Sequence, residues 1–294
     1  MSRPNWIEGG ARPLLLLLVT GSSCAPAPGY EPGTSTGTDT AMAEMPSAVT
    51  TESGPGSSSS ALDLYAGPCS REVEGDLFVN EDNIEMFRDV RTVTGTIHID
   101  IESAPYDDLS FLECLEEAGS ISVGLATRLS STAGMPRLHA LDRLRLGSAP
   151  EAGIMLEGLD GIVSLDSLDL SSTFSIKGFD MPYLERIGHI GIGSCYATIP
   201  EPVASAFTSL SGFEALRELD SLYLQANSSL QDLAIVDVLI ENGAPPLGTA
   251  VLMFNHSLST DLIEEKLGTI GVVNPGTICG NLGDDTPCSC PPSG

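Results

Sequence analysis

The sequence predicts a β-solenoid, a stack of short parallel strands laid side by side, one strand from each turn of chain. Three observations carry this. From Gly75 onward the apolar spacing Leu-x-x-Leu-x-Leu returns at intervals of roughly 20 to 32 residues. In each copy the last two apolar residues stand two apart, so both point to one side of a strand and the residue between them points to the other. The composition agrees: hydrophobic residues are 41% of the chain and aromatics only 5%, so the core is filled by aliphatic layers.

The clearest copy is Leu219, Leu222, Leu224, Asn227 and Leu230, in LDSLYLQANSSL. The next, LGTAVLMFNHSL, repeats the spacing with Leu247, Ala250, Leu252, Asn255 and Leu258. Leu165, Leu168, Leu170, Thr173 and Ile176 keep the frame, as do Ile187, Ile190, Ile192 and Cys195. Leu141, Leu144 and Leu146 form another copy, and Ile121 with Val123, Ile97 with Ile99 and Leu77 with Val79 extend the series to about eight turns. An Asn, Cys or Thr three residues past the strand suits a bend, because its side chain can bond backbone groups left unpaired there. Asn227 and Asn255 are therefore assigned structural roles, although each begins an N-x-S glycosylation pattern. Between strands, residues 108–119 (DLSFLECLEEAG) read as a short helix burying Leu109, Leu112 and Leu115. AIVDVLIENG and TDLIEEKLG read as similar amphipathic runs.

The pattern from Leu219 to Leu258 resembles the leucine-rich-repeat family. Irregular turn lengths, the Gly-led strands GDLFV, GTIHI and GSISV, and the Gly-Asn of TICGN are similar to its receptor L-domain branch, over about residues 70 to 280. The resemblance implies a right-handed stack with one parallel sheet and a few short helices. It also implies binding through the exposed face of that sheet, with no catalysis and no cofactor.

At the N-terminus, Arg3 and Arg12 precede the apolar run from Leu14 to Val19, which is followed by Thr20, Gly21, Ser22, Ser23 and Cys24. Positive, apolar, small is the order of a secretory signal over residues 1–23. The run is too short to span a bilayer, which takes about 20 apolar residues. A cysteine behind small residues resembles the bacterial lipoprotein signal, which implies acylation at Cys24; where that family usually has Leu three residues earlier, this chain has Gly21. Ala25 and Pro26 follow, without the aspartate associated with inner-membrane retention, so the resemblance implies an outer-membrane or surface location. Residues 24–66 are rich in Ser, Thr, Pro, Gly and Ala and form a linker, since too little apolar surface is on offer to offset the entropy of ordering. The solenoid is assigned to 67–280 and a cysteine-containing tail to 281–294.

Of seven cysteines, setting Cys24 aside leaves Cys69, Cys114, Cys195, Cys279, Cys288 and Cys290. An even number in an exported chain points to disulfides, with fifteen pairings open. Their positions near both ends of the repeat region place the staples at the caps, where an open core needs shielding. The net charge is −27, from 40 acidic and 13 basic residues. Nucleic acid is excluded as a partner, because neutralising several phosphates needs basic residues in number. Membrane attachment is assigned to a lipid anchor only, since an anionic surface repels the folded part.

The strand frame predicts an outward face carrying Asp76, Phe78, Asn80, Thr96, His98, Asp100, Arg143, Arg145, Ser167, Asp169, His189, Ser221, Tyr223, Gln225, Thr249 and Met253. The candidate ligand-binding cluster on it is Arg143, Arg145, Asp169, His189 and Tyr223, on neighbouring strands about 4.8 Å apart. Phe78 and Tyr223 stand out as aromatics on a solvent face. The chain contains no glycine-rich phosphate loop, no G-x-S-x-G and no H-E-x-x-H, and its four histidines lie on different turns. Cys288 and Cys290 lack a second pair at zinc spacing, and the acid pairs 107–108 and 284–285 lack the alternating oxygens of a calcium loop. The expected function is a non-catalytic surface module binding protein or glycan. A polysaccharide-active β-solenoid enzyme and a structural envelope protein are the alternatives.

Overall fold

The computed structural model describes residues 69–284 and 288, except 103–105, 125, 127, 148–152, 171–175 and 194–207. The signal, the linker, Cys24, Thr173, Cys195 and Cys290 lie outside the described residues. The strands, in chain order, are β1 (Arg71–Val73), β2 (Leu77–Asn80), β3 (Val90–Asp100), β4 (Glu117–Val123), β5 (Ala140–Leu146) and β6 (Ile154–Leu156). They continue with β7 (Ser164–Leu170), β8 (Ile176–Phe179), β9 (Arg186–Ile192), β10 (Glu218–Gln225), β11 (Leu247–Met253) and β12 (Val272–Cys279). Ten of them form one parallel sheet in the order β1-β3-β4-β5-β7-β9-β10-β11-β12, with β2 also paired to β3. Strands β6 and β8 pair separately in a two-stranded parallel sheet.

Each copy of the repeat forms a strand because its apolar residues have one side to bury. In β10, Leu219, Leu222 and Leu224 are buried while Glu218 and Asp220 are exposed, and β5 and β7 share this pattern. Three core residues come from each such strand, one more than the i and i+2 pair alone. The register keeps them in rows: Leu144 pairs with Leu168, Leu168 with Ile190, Ile190 with Leu222, and Leu222 with Ala250. The row alignment lets the β-branched and leucine side chains of successive strands pack directly on one another.

A second apolar pair precedes these strands. Met135 and Leu138, Leu159 and Ile162, Met181 and Leu184, and Phe213 and Leu216 are all buried. In every case the backbone N–H of the second donates to the carbonyl of the first, at 2.9 to 3.3 Å. This is a tight turn whose two corner residues face inward, so the full apolar frame is Φ-x-x-Φ-x-x-Φ-x-x-Φ-x-Φ.

The bends after the last strands are held by an asparagine ladder. Asn227 and Asn255 are buried, and so is Asn281, which the sequence reading placed beyond the repeats. The backbone N–H of Asn227 donates to Asn255 Oδ1 at 3.1 Å, and that of Asn255 donates to Asn281 Oδ1 at 3.1 Å. Each side-chain amide reaches back to the preceding strand: Asn227 Nδ2 to the Ile192 carbonyl, Asn255 Nδ2 to Leu224 and Asn281 Nδ2 to Leu252, at 2.9 to 3.1 Å. The residue before each asparagine has positive φ: 57° at Ala226, 57° at Phe254 and 69° at Gly280. Two non-glycine residues hold this left-handed conformation because the ladder on either side over-determines it. At Gly280 the glycine is required, since a Cβ would lie 2.8 Å from the Phe254 ring.

Two disulfides occur among the described residues, Cys69–Cys114 and Cys279–Cys288. The first ties the start of the described chain to the segment before β4, and the second closes the chain end beyond β12. Both terminal regions of the sheet are thus cross-linked.

Two expectations need correction. Residues 108–119 do not form a helix: Leu109, Leu112 and Leu115 are buried as read, but on a 3-10 turn (Ser110–Leu112), and Glu117 already begins β4. The backbone here is committed to neighbouring turns instead: the Leu109 N–H donates to the Ala133 carbonyl and the Glu116 N–H to the Arg91 carbonyl, each at 2.8 Å. Met253 is not outward but 1% exposed. It sits in register between Gln225 and Cys279 at the strand's end, where the chain is already turning into the left-handed Phe254. Strand β12 carries no leucine frame at all; it is largely exposed, and Pro275 within it removes a donor, as suits an edge strand. The two C-terminal amphipathic runs are helices, α1 (Ala234–Glu241) and α2 (Thr260–Ile270), burying Ile235, Val236 and Leu239 and Ile263, Leu267 and Ile270. Among the described residues no helix is long and apolar enough to cross a membrane.

Candidate functional site

Strand register sorts the outward residues into two rows. One runs Phe78, His98, Ser122, Arg145, Asp169, Gly191, Tyr223 and Val251. The other runs Thr96, Ser120, Arg143, Ser167, His189, Ser221 and Thr249. Because Arg143 and Arg145 flank the buried Leu144 on one strand, they belong to different rows and stand side by side on the face. A pleated sheet thus brings together residues from turns more than twenty positions apart.

The structure divides the predicted cluster in two. Arg143, Arg145 and Asp169 line a cleft of about 460 Å³ with Thr96, His98, Ser120, Ser122, Leu144, Asp166 and Ser167. Its volume falls in the range of small-molecule sites, about 300 to 1,000 Å³. Arg145 Nε lies 3.8 Å from Asp169 Oδ2, with side-chain exposures of 58% and 34%. Such a partly solvated pair contributes little to stability, roughly 0 to 1 kcal/mol, and is available to a ligand. Arg143, exposed on the face, makes no hydrogen bond or ion pair among the described residues.

His189 and Tyr223 lie past the cleft, at Gly191. Their ring centroids are 5.0 Å apart. Gly191 has no side chain to fill the outward row, and the His189 ring occupies the space: a Cβ there would lie 2.8 Å from His189 Nε2. Ser221 donates its hydroxyl to the Gly188 carbonyl at 3.2 Å, which leaves Ser221 Oγ to accept from His189 Nδ1 at 3.0 Å. The neutral Nδ1–H tautomer is the form this arrangement holds. Burial pushes the His189 pKa below its ordinary value, and the Asp169 carboxylate opposes that shift. Since the folded pKa lies below the unfolded one, this histidine contributes stability above the unfolded value of about 6.5 and loses it as pH falls from there through the folded pKa. NMR titration of the imidazole is expected to place its midpoint below 6.5 and to move it upward in Tyr223→Ala, which admits water; a midpoint unmoved by that substitution contradicts burial as the cause.

At the opposite end of the cleft a second aromatic pair was not legible from single residues. Phe78, 65% exposed, stacks on His98 with centroids 4.7 Å apart and planes within 11°. The β2–β3 register creates this pair, and His98 also lines the cleft. His139 instead sits at the strand-entry edge, with Nε2 3.6 Å from Glu117, away from the face. The paired acids have local duties: Asp108 Oδ1 accepts from the Ser110 N–H and Asp284 Oδ2 from the Gly280 N–H. Among the described residues no group of three His, Cys, Asp or Glu side chains is placed to hold a metal ion. No protein-family model, curated protein or solved structure matches the chain.

Proposed function

We propose that this chain is a non-catalytic binding protein of the cell envelope, a right-handed solenoid of leucine-rich-repeat, receptor L-domain type that engages its ligand through the exposed face of the parallel sheet. The solenoid reading is supported by strand order, since nearly every new strand joins the edge of the sheet beside the one before it. The binding reading is carried by one observation: an open cleft that pairs Arg143 with the Arg145–Asp169 couple, bordered by the aromatic pairs Phe78–His98 and His189–Tyr223. Arg and aromatic residues are the common anchors of interfaces. The partner is a protein or glycan ligand, with no cofactor. Export to an oxidising compartment is supported by the two disulfides. Tethering through an acylated Cys24 and the 24–66 linker, at the outer membrane or surface, completes the reading.

Screening the full chain against envelope and extracellular proteins and glycans tests the function. Arg145→Ala and Tyr223→Ala are each expected to weaken the captured ligand by tenfold or more. Unchanged binding in both variants removes the sheet face as the site, and turnover of a captured glycan favours the enzyme alternative. Intact mass of the membrane-extracted protein reads acylation at Cys24; an unmodified mature chain rules the anchor out.

A further inference from the structure

The floor of the cleft narrows the ligand class. Every strand beneath it, β3, β4, β5 and β7, is hydrogen-bonded on both sides within the sheet, so the floor offers no free backbone groups to which an extended peptide could add as a strand. Among the described residues Leu144 is the one aliphatic residue in the lining, and it is itself buried, so the floor presents no apolar side chain to a peptide. What the floor does offer is hydroxyl groups, at Thr96, Ser120, Ser122 and Ser167, in an ordered two-row array. Hydroxyls donate and accept, which matches a polyhydroxylated ligand better than a peptide.

Two further features surround this array. His98 lines the cleft, and the exposed Phe78 ring stacks on its far side, so the face turned to a ligand in the cleft is that of a braced, flat imidazole on which the C–H face of a sugar ring can rest. Arg145 stands in the same row as His98, two strand spacings away, or about 10 Å, roughly the span of a disaccharide. Next to it, Arg143 projects a guanidinium with no acidic partner among the described residues, in a chain with a net charge of −27. Arg145 is paired with Asp169, so the free guanidinium of Arg143 is the fork for a carboxylate. Asp169 and Asp166 line the same cleft, so its charges balance overall; the carboxylate subsite is local to Arg143, with charges more than about 8 Å away largely screened at physiological salt.

From these features, and resting on the sheet-face reading above, we infer that the cleft binds a carboxylate-bearing glycan, a chain of uronic-acid type. One sugar ring lies on His98, which Phe78 braces from behind, its hydroxyls bond the Ser and Thr rows, and a carboxylate is held by Arg143 with Arg145 beside it. Asp166 accepts from a sugar hydroxyl at the cleft wall.

The test is calorimetric titration of the full chain with three probes: sodium oligogalacturonate, a neutral cello-oligosaccharide of equal length, and poly-L-glutamate. Oligogalacturonate is expected to bind saturably, at least tenfold tighter than either other probe. Arg143→Gln and Phe78→Ala should each weaken it about tenfold, while Arg186→Gln, at the far strand edge and paired with Glu218 at 2.7 Å, should leave it unchanged. Both tested residues are exposed, and an unchanged urea midpoint confirms that the variants fold. No binding of oligogalacturonate, or binding indifferent to Arg143→Gln, overturns the inference. Equal or tighter binding of poly-L-glutamate through the same arginine also overturns the glycan assignment but leaves the sheet face standing as a site. Failure of the sheet-face reading has a different signature, namely a captured ligand indifferent to Arg145→Ala and Tyr223→Ala.

Discussion

Replacing Asn255 by alanine is expected to lower the unfolding free energy by about 4 kcal/mol, read as a shift of the urea midpoint with the slope unchanged. Asn255 is the middle rung of the ladder. Its Oδ1 accepts from the Asn227 N–H, and its Nδ2 donates to the Leu224 carbonyl at 3.0 Å and to Asn281 Oδ1 at 3.1 Å. The site is 0% exposed, so water cannot take over these roles. Truncation therefore leaves two buried backbone groups unpaired, each costing roughly 1 to 3 kcal/mol. Asn255→Asp keeps the shape and the acceptor but has no N–H to offer, and it sets a carboxyl against the Leu224 carbonyl and Asn281 Oδ1. It should be at least as destabilising as alanine at neutral pH. A loss below about 1 kcal/mol for both variants contradicts the ladder as a stabilising element.

Phe213→Ala is expected to cost about 3 to 5 kcal/mol. Phe213 is fully buried at the corner before β10 and packs against Phe179 with ring centroids 5.1 Å apart. Aromatics are only 5% of the chain, so few other large side chains are available to collapse into the gap. The cavity term should therefore stand nearly in full. Phe213→Leu, which retains most of the volume, should recover more than half of the loss; equal losses for leucine and alanine would show that the site relaxes and that ring volume is not what holds this corner.

The repeat was legible because it depends on period alone. Leu219, Leu222 and Leu224 follow a spacing that any pleated strand with one buried face must obey, and the rows of the sheet then follow from stacking like on like. The structural role of Asn227 and Asn255 was legible for the same reason, since a polar residue at a fixed place in an apolar frame has to bond something. Asn281 carries the same signal, in TICGN, but β12 before it lacks leucines and so hides the register. The upstream turn pairs such as Met135 and Leu138 were present in the sequence at constant distance from each strand. Their corner residue varies among Met, Leu and Phe, which hides the pair from a leucine spacing.

The site is another matter. Which side of each strand faces out follows from the period, and that was enough to place Arg143, Arg145, Asp169, His189 and Tyr223 on one face. That Arg145 meets Asp169, that His189 lies across Gly191 and turns away from the cleft, and that Phe78 stacks on His98 all depend on register between strands twenty or more residues apart. Spacing along a chain says nothing about a shift of one strand against the next, and loops of unequal length leave that shift free. By itself, then, the sequence determined the strand period, the buried side and the bend asparagines, because each is a local consequence of backbone geometry and burial. The tertiary structure alone decided which outward residues become neighbours, because that is set by the register in which the sheet's backbone hydrogen bonds pair one strand with another.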